Sequence, residues 1–374
     1  MKVLHIYKDY PPVRGGIEGH LRDLAEFQVG QGIEVSALVT SQSLGGSVRY
    51  ENGVRVIRAG RLASLASTPL SLSLLNWRRR LEADVTHLHS PYPFGEIAHL
   101  VCGRSKVTVT TYHCNVERFP ELARLYVPIA RRALDRSDRI LVSSPQLRDS
   151  APLLQPFLDK CSVVPFGIDP ERFQSDSATT PRGSLQEISG PMILFVGRLR
   201  HYKGIETLIE SMAEVSATLV IAGAGPMERR WRRQAESSAA SERILFLGEV
   251  SDGHLAQLYR SANLLVLPST SRAEAFGVVQ LEAMAAGIPV VSTELGTGTS
   301  FVNQHGETGL VVPPGDVRAL AAALSKLLDR PRLRDRLGRG ARERFLSHFQ
   351  IGRMAEEIKE IYTRALEAST RPHA

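Results

Sequence analysis

Two glutamates, Glu274 and Glu282, stand eight residues apart within the stretch Ser271–Val291. On a helix an eight-residue spacing rises about 12 Å and returns both side chains close to one face. The paired carboxyls of a glycoside hydrolase lie roughly 5 to 9.5 Å apart across one bond. These two therefore suit opposite ends of an elongated ligand, and a sugar nucleotide carries hydroxyls at both ends for carboxylates to accept. Phe276 and Gly277 stand between them at an expected helix start, where backbone N–H groups favour an anion. Arg198 and Lys203 follow the run Met192–Val196, five residues apart, and a forked cation with a point cation suits a diphosphate. Gly15 and Gly16 open a helix after the first strand, where bare backbone admits a close ligand; a plain strand-to-helix turn fits equally well. His87 and His89 alternate at a strand end and His113 ends the next strand, a trio that could hold zinc. With no Asp-x-Asp and no acidic partner in view, packing of His87 and His89 at a cleft floor is favoured, with His113 facing the ligand. Gly223 and Gly225 also follow a strand, but Glu228 stands where the dinucleotide fingerprint needs its third glycine, and no Walker loop is present.

The elements that must carry these residues are short. β-branched runs recur with helical patterns between them, from Val3–Tyr7 to Ser162–Pro165 and again from Met192–Val196 to Leu310–Val312. Strands alternating with helices imply α/β architecture with parallel sheets covered on both faces. The rhythm breaks once, in the polar, turn-rich segment between Asp169 and Pro191. The expected organisation is a first domain over 1–170, a linker over 171–190 and a second domain over 191–350, with ligands beyond the carboxyl ends of the strands. Each half of this 374-residue chain can bury a core of its own. Hydrophobic residues make up 43% and charged residues 23%, which excludes a disordered or fibrous protein. Cys102, Cys114 and Cys161 are too few and too scattered for a disulfide framework or zinc cluster, in keeping with a reducing cytoplasm. The net charge of +7 is mild and gives no reason to expect nucleic acid. Met1–Lys8 reads as a charged strand rather than a signal-peptide core, and no run is long and apolar enough to span a bilayer.

Taken together, these residues resemble the retaining family 4 glycosyltransferases of the GT-B fold. The likeness rests on Gly15-Gly16, His113, Val163 to Asp169, Gly197-Arg198 with Lys203-Gly204, Glu274 with Glu282 around Phe276-Gly277, and Gly306 to Asp316, in the family's order along nearly the whole chain. It implies two Rossmann-like doubly wound domains facing a central cleft, the acceptor mainly on the first and the nucleotide on the second. The first domain would be completed by a C-terminal helix, 351–368, crossing back. It assigns Gly15 and Gly16 to the donor diphosphate, Arg198 and Lys203 to the leaving diphosphate, and Glu274 to the donor sugar. Phe276, Gly277 and Val278 would add backbone amides, Glu282 would bind the ribose hydroxyls, and His113 would sit beside the sugar. The catalytic set so implied is His113, Arg198, Lys203 and Glu274, with no cofactor and no metal. The closer likeness is to bacterial enzymes that build exopolysaccharide or O-antigen on a polyprenyl-diphosphate carrier, many of them using GDP-mannose. Cys114-Asn115 departs from the Ser-Asp that often follows the histidine there.

The acceptor side raises a further expectation. Between Val54 and Leu81 stand six arginines and no acidic residue, around the apolar, hydroxyl-rich run Leu62–Trp77. Trp77, Arg78, Arg79 and Arg80 are therefore expected to touch an anionic membrane surface or a lipid-linked acceptor, placing the protein on the inner face of the cell membrane. A core helix with a solvated arginine end is the competing reading. A UDP-sugar donor or soluble acceptor, a sugar-nucleotide epimerase on the same fold, and a metal hydrolase built on His87, His89 and His113 stay open as alternatives.

Overall fold

A computed structural model describes residues 1–13, 15–65, 68–115, 120–173 and 190–370. The chain forms two compact α/β units. The first takes in Met1–Gly167 together with the terminal helix Ile351–Thr370, and the second spans Ile168–Gln350. Most of the expected linker, residues 174–189, lies outside the described residues; before it, Pro170–Phe173 is a short 3-10 turn that belongs to the second unit.

The strands of the first unit are β1 (Lys2–Ile6), β2 (Glu34–Thr40), β3 (Ser47–Glu51), β4 (Val54–Ala59), β5 (Ala63–Leu65), β6 (Thr68–Leu70), β7 (Ala83–Ser90), β8 (Ser105–Tyr112), β9 (Arg139–Val142) and β10 (Cys161–Val163). Eight of them make one sheet in the order β10-β9-β8-β7-β1-β2-β4-β3, parallel except for the edge pair β3 and β4. The order reverses between β1 and β7, the crevice where such sheets bind ligands. The interior strands β7 and β8 are buried on both faces over most of their length, which is why they read as near-continuous apolar and small-polar runs. The sequence pattern misses β3, a short edge strand whose alternating Val48 and Tyr50 stay exposed and whose Glu51 pairs bidentately with Arg58 at 2.7 and 3.1 Å.

The run expected to touch a membrane surface spans a hairpin and a helix. Residues of β5 and β6 pair as an antiparallel hairpin, and the helix Leu72–Arg80 follows, capped by the Ser71 hydroxyl, which accepts from the Leu74 N–H at 3.2 Å. Leu62, Leu65 and Leu72 are exposed, whereas Arg78 is completely buried. Among the described residues no helix is long and apolar enough to cross a membrane.

The second unit carries β11 (Met192–Val196), β12 (Thr218–Ala222), β13 (Ile244–Gly248), β14 (Leu264–Leu267), β15 (Val290–Thr293) and β16 (Gly309–Val312). They form a wholly parallel sheet ordered β13-β12-β11-β14-β15-β16, reversing between β11 and β14. Ile193, Phe195, Leu219 and Ile221 of its central strands pack with Leu208, Trp231, Leu320 and Leu324 of the covering helices. At roughly 1.5–3 kcal/mol for each fully buried large side chain, this core holds the strand ends, and the loops that leave them, in place.

Candidate active site

In the second unit the expected anion and sugar residues leave the two strands that flank the reversal. Arg198 and Lys203 follow β11; Glu274 follows β14. The two loops are joined by a hydrogen bond from the Thr270 N–H to the Tyr202 carbonyl at 2.8 Å. Gly204 adopts φ +67, and a Cβ there would stand 1.9 Å from the Pro268 carbonyl oxygen, so only glycine lets the loops meet this closely. The consequence is direct contact between two predicted site residues. Lys203 Nζ donates to Glu274 Oε2 at 2.5 Å, both side chains being about one-tenth exposed. The Ser269 hydroxyl donates to the same carboxylate oxygen at 2.9 Å. Burial alone would depress the Lys203 ammonium, but Glu274, Tyr202 and the hydrogen bond together hold its pKa above the ordinary lysine value. Arg198, by contrast, is exposed.

Below Glu274, Thr297 donates its hydroxyl to the Glu274 carbonyl at 2.8 Å, and the Gly298 N–H donates to the Ala275 carbonyl at 2.8 Å. Ser269 and Thr297 thus hold Glu274 from two sides. Nothing in a lone serine or threonine announces such a contact in the sequence. The helix carrying Glu282 is Val279–Ala285, so Glu274 lies ahead of it on the loop. The helical rise of about 12 Å between the two glutamates therefore does not apply. Gly277, at φ +75, turns the chain before the helix starts, and Phe276 is buried against the Phe349 ring, 6.3 Å away edge-on. Glu282 is half-buried and accepts from the Tyr259 hydroxyl at 2.6 Å. Tyr259, another partner missed in the sequence, comes from the helix Asp252–Ser261; burial and the adjoining carboxylate hold its phenol well above the ordinary range. Gly223 is a packing glycine: its Cβ would lie 2.1 Å from the Gly197 carbonyl oxygen, which accounts for the glycine that mimics part of a dinucleotide fingerprint.

In the first unit, Gly15 caps the helix Gly16–Gly30, as expected. Glu18, in the first turn and 8% exposed, places its carboxylate where a Gly15 Cβ would come within 2.0 Å. A carboxylate there complements the positive helix end.

The histidines form a larger group than the three picked out from the sequence. A two-residue period puts His87 and His89 on one face of β7, and parallel pairing sets His5 of β1 opposite His87 on that same face. His113 follows β8, and His20 comes from the helix Gly16–Gly30. All five are buried. His5 Nε2 lies 2.8 Å from Gln28 Oε1, His5 Nδ1 lies 3.0 Å from His89 Nε2, and His89 Nδ1 lies 3.0 Å from His113 Nε2. His87 Nδ1 meets the Tyr362 hydroxyl of the terminal helix at 2.5 Å, and its Nε2 meets the Thr111 hydroxyl at 2.6 Å. His113 Nδ1 and both His20 nitrogens are enclosed without a hydrogen-bond partner among the described residues. Burial pushes His5 down to about 4, against a weaker upward pull from the Gln28 hydrogen bond, and pushes His20 down to about 3 with help from His5. Burial also holds His87, His89 and His113 well below the ordinary imidazole value.

Two triads, His5 with His87 and His89, and His20 with His89 and His113, bring ring nitrogens within 4.8 Å of one another. The trio His87, His89 and His113 is not one of them, and both nitrogens of His87 and of His89 are already hydrogen-bonded. The expected membrane contact at Arg78 is also corrected. Its guanidinium is buried, donates to the Leu81 carbonyl at 2.8 Å and to Thr86 at 3.2 Å, and faces His99 Nδ1 at 3.3 Å. Every third or fourth residue of an amphipathic helix turns inward, and Arg78 shares the inner face with Leu74. Arg79 and Arg80 are exposed and Trp77 is half-buried.

The profile described as Glycosyltransferase Family 4 matches residues 14–172, and that described as Glycosyl transferases group 1 matches residues 180–344. The chain is 34% identical to an O-antigen chain mannosyltransferase C of Escherichia coli, over 99% of this chain and 100% of that one. It is 36% identical to the D-rhamnosyltransferase WbpZ of Pseudomonas aeruginosa, over 93% and 92%. Among solved structures, the Anabaena HepE structure in complex with UDP-glucose aligns with a TM-score of 0.80 at 20% identity, over 97% of this chain and 100% of that one. A sucrose-phosphate synthase from Thermosynechococcus elongatus aligns with a TM-score of 0.79 at 23% identity, over 98% and 99%. Two Rossmann-like units and full-length similarity thus agree: the chain belongs to the family 4 glycosyltransferases and is a glycosyltransferase of the GT-B fold.

Proposed function

We propose that this enzyme transfers a hexosyl unit, mannose from GDP-mannose, with retention of configuration, to a polyprenyl-diphosphate-linked glycan in bacterial surface-polysaccharide synthesis. The observation that carries this reading is the end-to-end similarity to a protein described as an O-antigen chain mannosyltransferase. On this reading the second unit binds the nucleotide sugar. Arg198 and Lys203 neutralise the departing diphosphate, Glu274 accepts from hydroxyls of the sugar, and Glu282 accepts from the ribose. Phe276, Gly277 and Val278 add backbone amides. The first unit contributes Gly15 and Gly16 toward the diphosphate and His113 beside the sugar. Lys203 is already held on Glu274, so a single arriving donor engages both: its phosphate draws on the ammonium while its sugar hydroxyls satisfy the carboxylate. Fixed cations placed before charge develops cost no reorganisation during the reaction, which is how such a site stabilises a leaving group without a metal ion.

The acceptor's lipid carrier requires contact with a membrane, for which exposed Leu62, Leu65 and Leu72 and the exposed cations Arg79 and Arg80 are suited, on the cytoplasmic face. Thermal-shift titration with GDP-, UDP-, ADP- and dTDP-sugars tests the donor, because a ligand of the native state raises its apparent stability. A response to GDP-mannose is expected; a response to UDP-sugars alone would replace this donor. Transfer in excess EDTA is expected to continue, and complete loss that magnesium restores would refute a metal-free site.

A further inference from the structure

We propose that Gln28, His5 and His89 form a hydrogen-bond line of fixed direction that holds His113 in its Nε2–H tautomer, with its lone pair at Nδ1. The effect on turnover rests on the reading above that His113 stands beside the sugar; the line itself rests on hydrogen-bond geometry together with rings kept neutral by burial.

A neutral imidazole has one N–H donor and one lone-pair acceptor. Depressed as these rings are by burial, each member of the line is neutral near pH 7 and can pass a hydrogen bond in only one sense. The sense is set at Gln28. Its amide oxygen faces His5 Nε2 at 2.8 Å and can only accept, so His5 carries its hydrogen on Nε2 and offers a lone pair at Nδ1. His89 must then donate from Nε2 across 3.0 Å, which leaves its own Nδ1 as acceptor. His113 must in turn donate from Nε2 across 3.0 Å, and its Nδ1 is left bare. The planes of the last two rings differ by only 14°, with their centroids 5.2 Å apart.

The amide is oriented from its far side as well. Gln28 Nε2 donates to the Tyr362 hydroxyl at 3.4 Å, and that hydroxyl also meets His87 Nδ1 at 2.5 Å. Turning one ring alone would set two lone pairs or two hydrogens face to face in a buried place, which forfeits the bond and strands both groups. Reversal therefore requires the whole line and the amide to turn together. A neutral amide at the root orients the rings without inviting a proton onto them, as a carboxylate would. His20 and Phe166 pack against His113 at 5.5 Å each and enclose it.

His5, His89 and Gln28 are on this account positioning residues that act through His113. The test is long-range ¹H–¹⁵N correlation of the full chain labelled at histidine, which identifies the nitrogen that bears hydrogen in each ring. Wild type is expected to show Nε2–H at His5, His89 and His113. His89→Gln supplies an amide that can pass the bond in the same sense and should preserve both the His113 tautomer and kcat. Gln28→Met and His89→Phe should give mixed tautomers at His113 and lower kcat by about tenfold, the value of one hydrogen bond, with donor KM within about twofold. An Nδ1–H signal at His113 in wild type, or an unchanged tautomer in Gln28→Met, would overturn the line. So would about one zinc per chain retained through purification, which would make the ring nitrogens ligands. The wild-type spectrum needs no variant to fold. Full transfer by His113→Ala would instead remove His113 from the sugar while leaving the tautomer result standing.

Discussion

Acid should unfold the first unit before the second. His5, His20 and His99, all buried there, have imidazoles pushed to about 4, about 3 and about 3, mainly by burial and, for His99, also by the neighbouring Arg78. In the unfolded chain they return to about 6.5. Above pH 6.5 neither state holds these protons and stability is complete. Between pH 6.5 and about 4 the unfolded chain binds protons that the folded unit refuses, so stability falls as pH falls, and the loss levels off only below the folded values. Each group removes about 1.4 kcal/mol per pH unit through that window. At pH 5 the three together remove on the order of 5 kcal/mol, against a typical domain stability of about 5–15 kcal/mol. His87, His89 and His113 shift in the same direction and deepen the loss. The described histidines of the second unit, His201, His254, His305 and His348, are exposed or half-buried. The sequence supplies a reporter for each unit, Trp77 in the first and Trp231 in the second. Fluorescence of Trp231→Phe and Trp77→Phe variants, titrated from pH 7.5 to 4, should show the Trp77 signal lost near pH 5 and the Trp231 signal at lower pH, with hydrogen exchange as a check on intact chain. Coincident transitions, or a first unit still native at pH 4.5, would refute the reasoning.

Three other outcomes follow from the same geometry. Lys203→Ala and Arg198→Ala should each cut turnover by about 10²–10³, but only Lys203→Ala should also lose about 3–5 kcal/mol of stability, because it strands buried Glu274; denaturant titration of both, with a Lys203→Met/Glu274→Leu double variant recovering stability and not activity, checks this. Calorimetry should find that Glu282→Gln weakens free nucleoside diphosphate while Glu274→Gln weakens chiefly the sugar-bearing donor, and equal losses of both ligands would sink the division of roles. Arg78→Ala should destabilise the first unit by about 2–4 kcal/mol through its lost buried hydrogen bonds, whereas Arg79→Ser with Arg80→Ser should leave stability alone and lower sedimentation with anionic vesicles; unaltered sedimentation would leave those arginines as ordinary surface.

The parallel strands were legible because burial on both faces demands apolar runs wherever they occur. Met192–Val196 and Leu264–Leu267 are visible in the bare sequence for that reason. The residues that leave those strands, Arg198, Lys203 and Glu274, were legible too, since a doubly wound sheet delivers its loops to one end. What the sequence could not carry is pairing between segments far apart in the chain. Lys203 and Glu274 were each predicted for a ligand, yet 71 residues separate two groups that meet at 2.5 Å. Tyr259 on Glu282, and Ser269 and Thr297 on Glu274, are ordinary residues until the fold sets them there.

The same division explains the two largest departures. Arg78, Arg79 and Arg80 read alike along the chain, but the helix turns by about 100° per residue, so packing buries the first and leaves the next two outside. His87 and His89 announced themselves by their alternation, whereas His5 and Gln28 stand more than fifty residues earlier, and Tyr362 stands on a helix that returns from the far end of the chain. Local periodicity determines which face a side chain takes. Only strand register and the closure of the terminal helix decide which other side chains share that face, and hydrogen-bond direction passes through just those contacts.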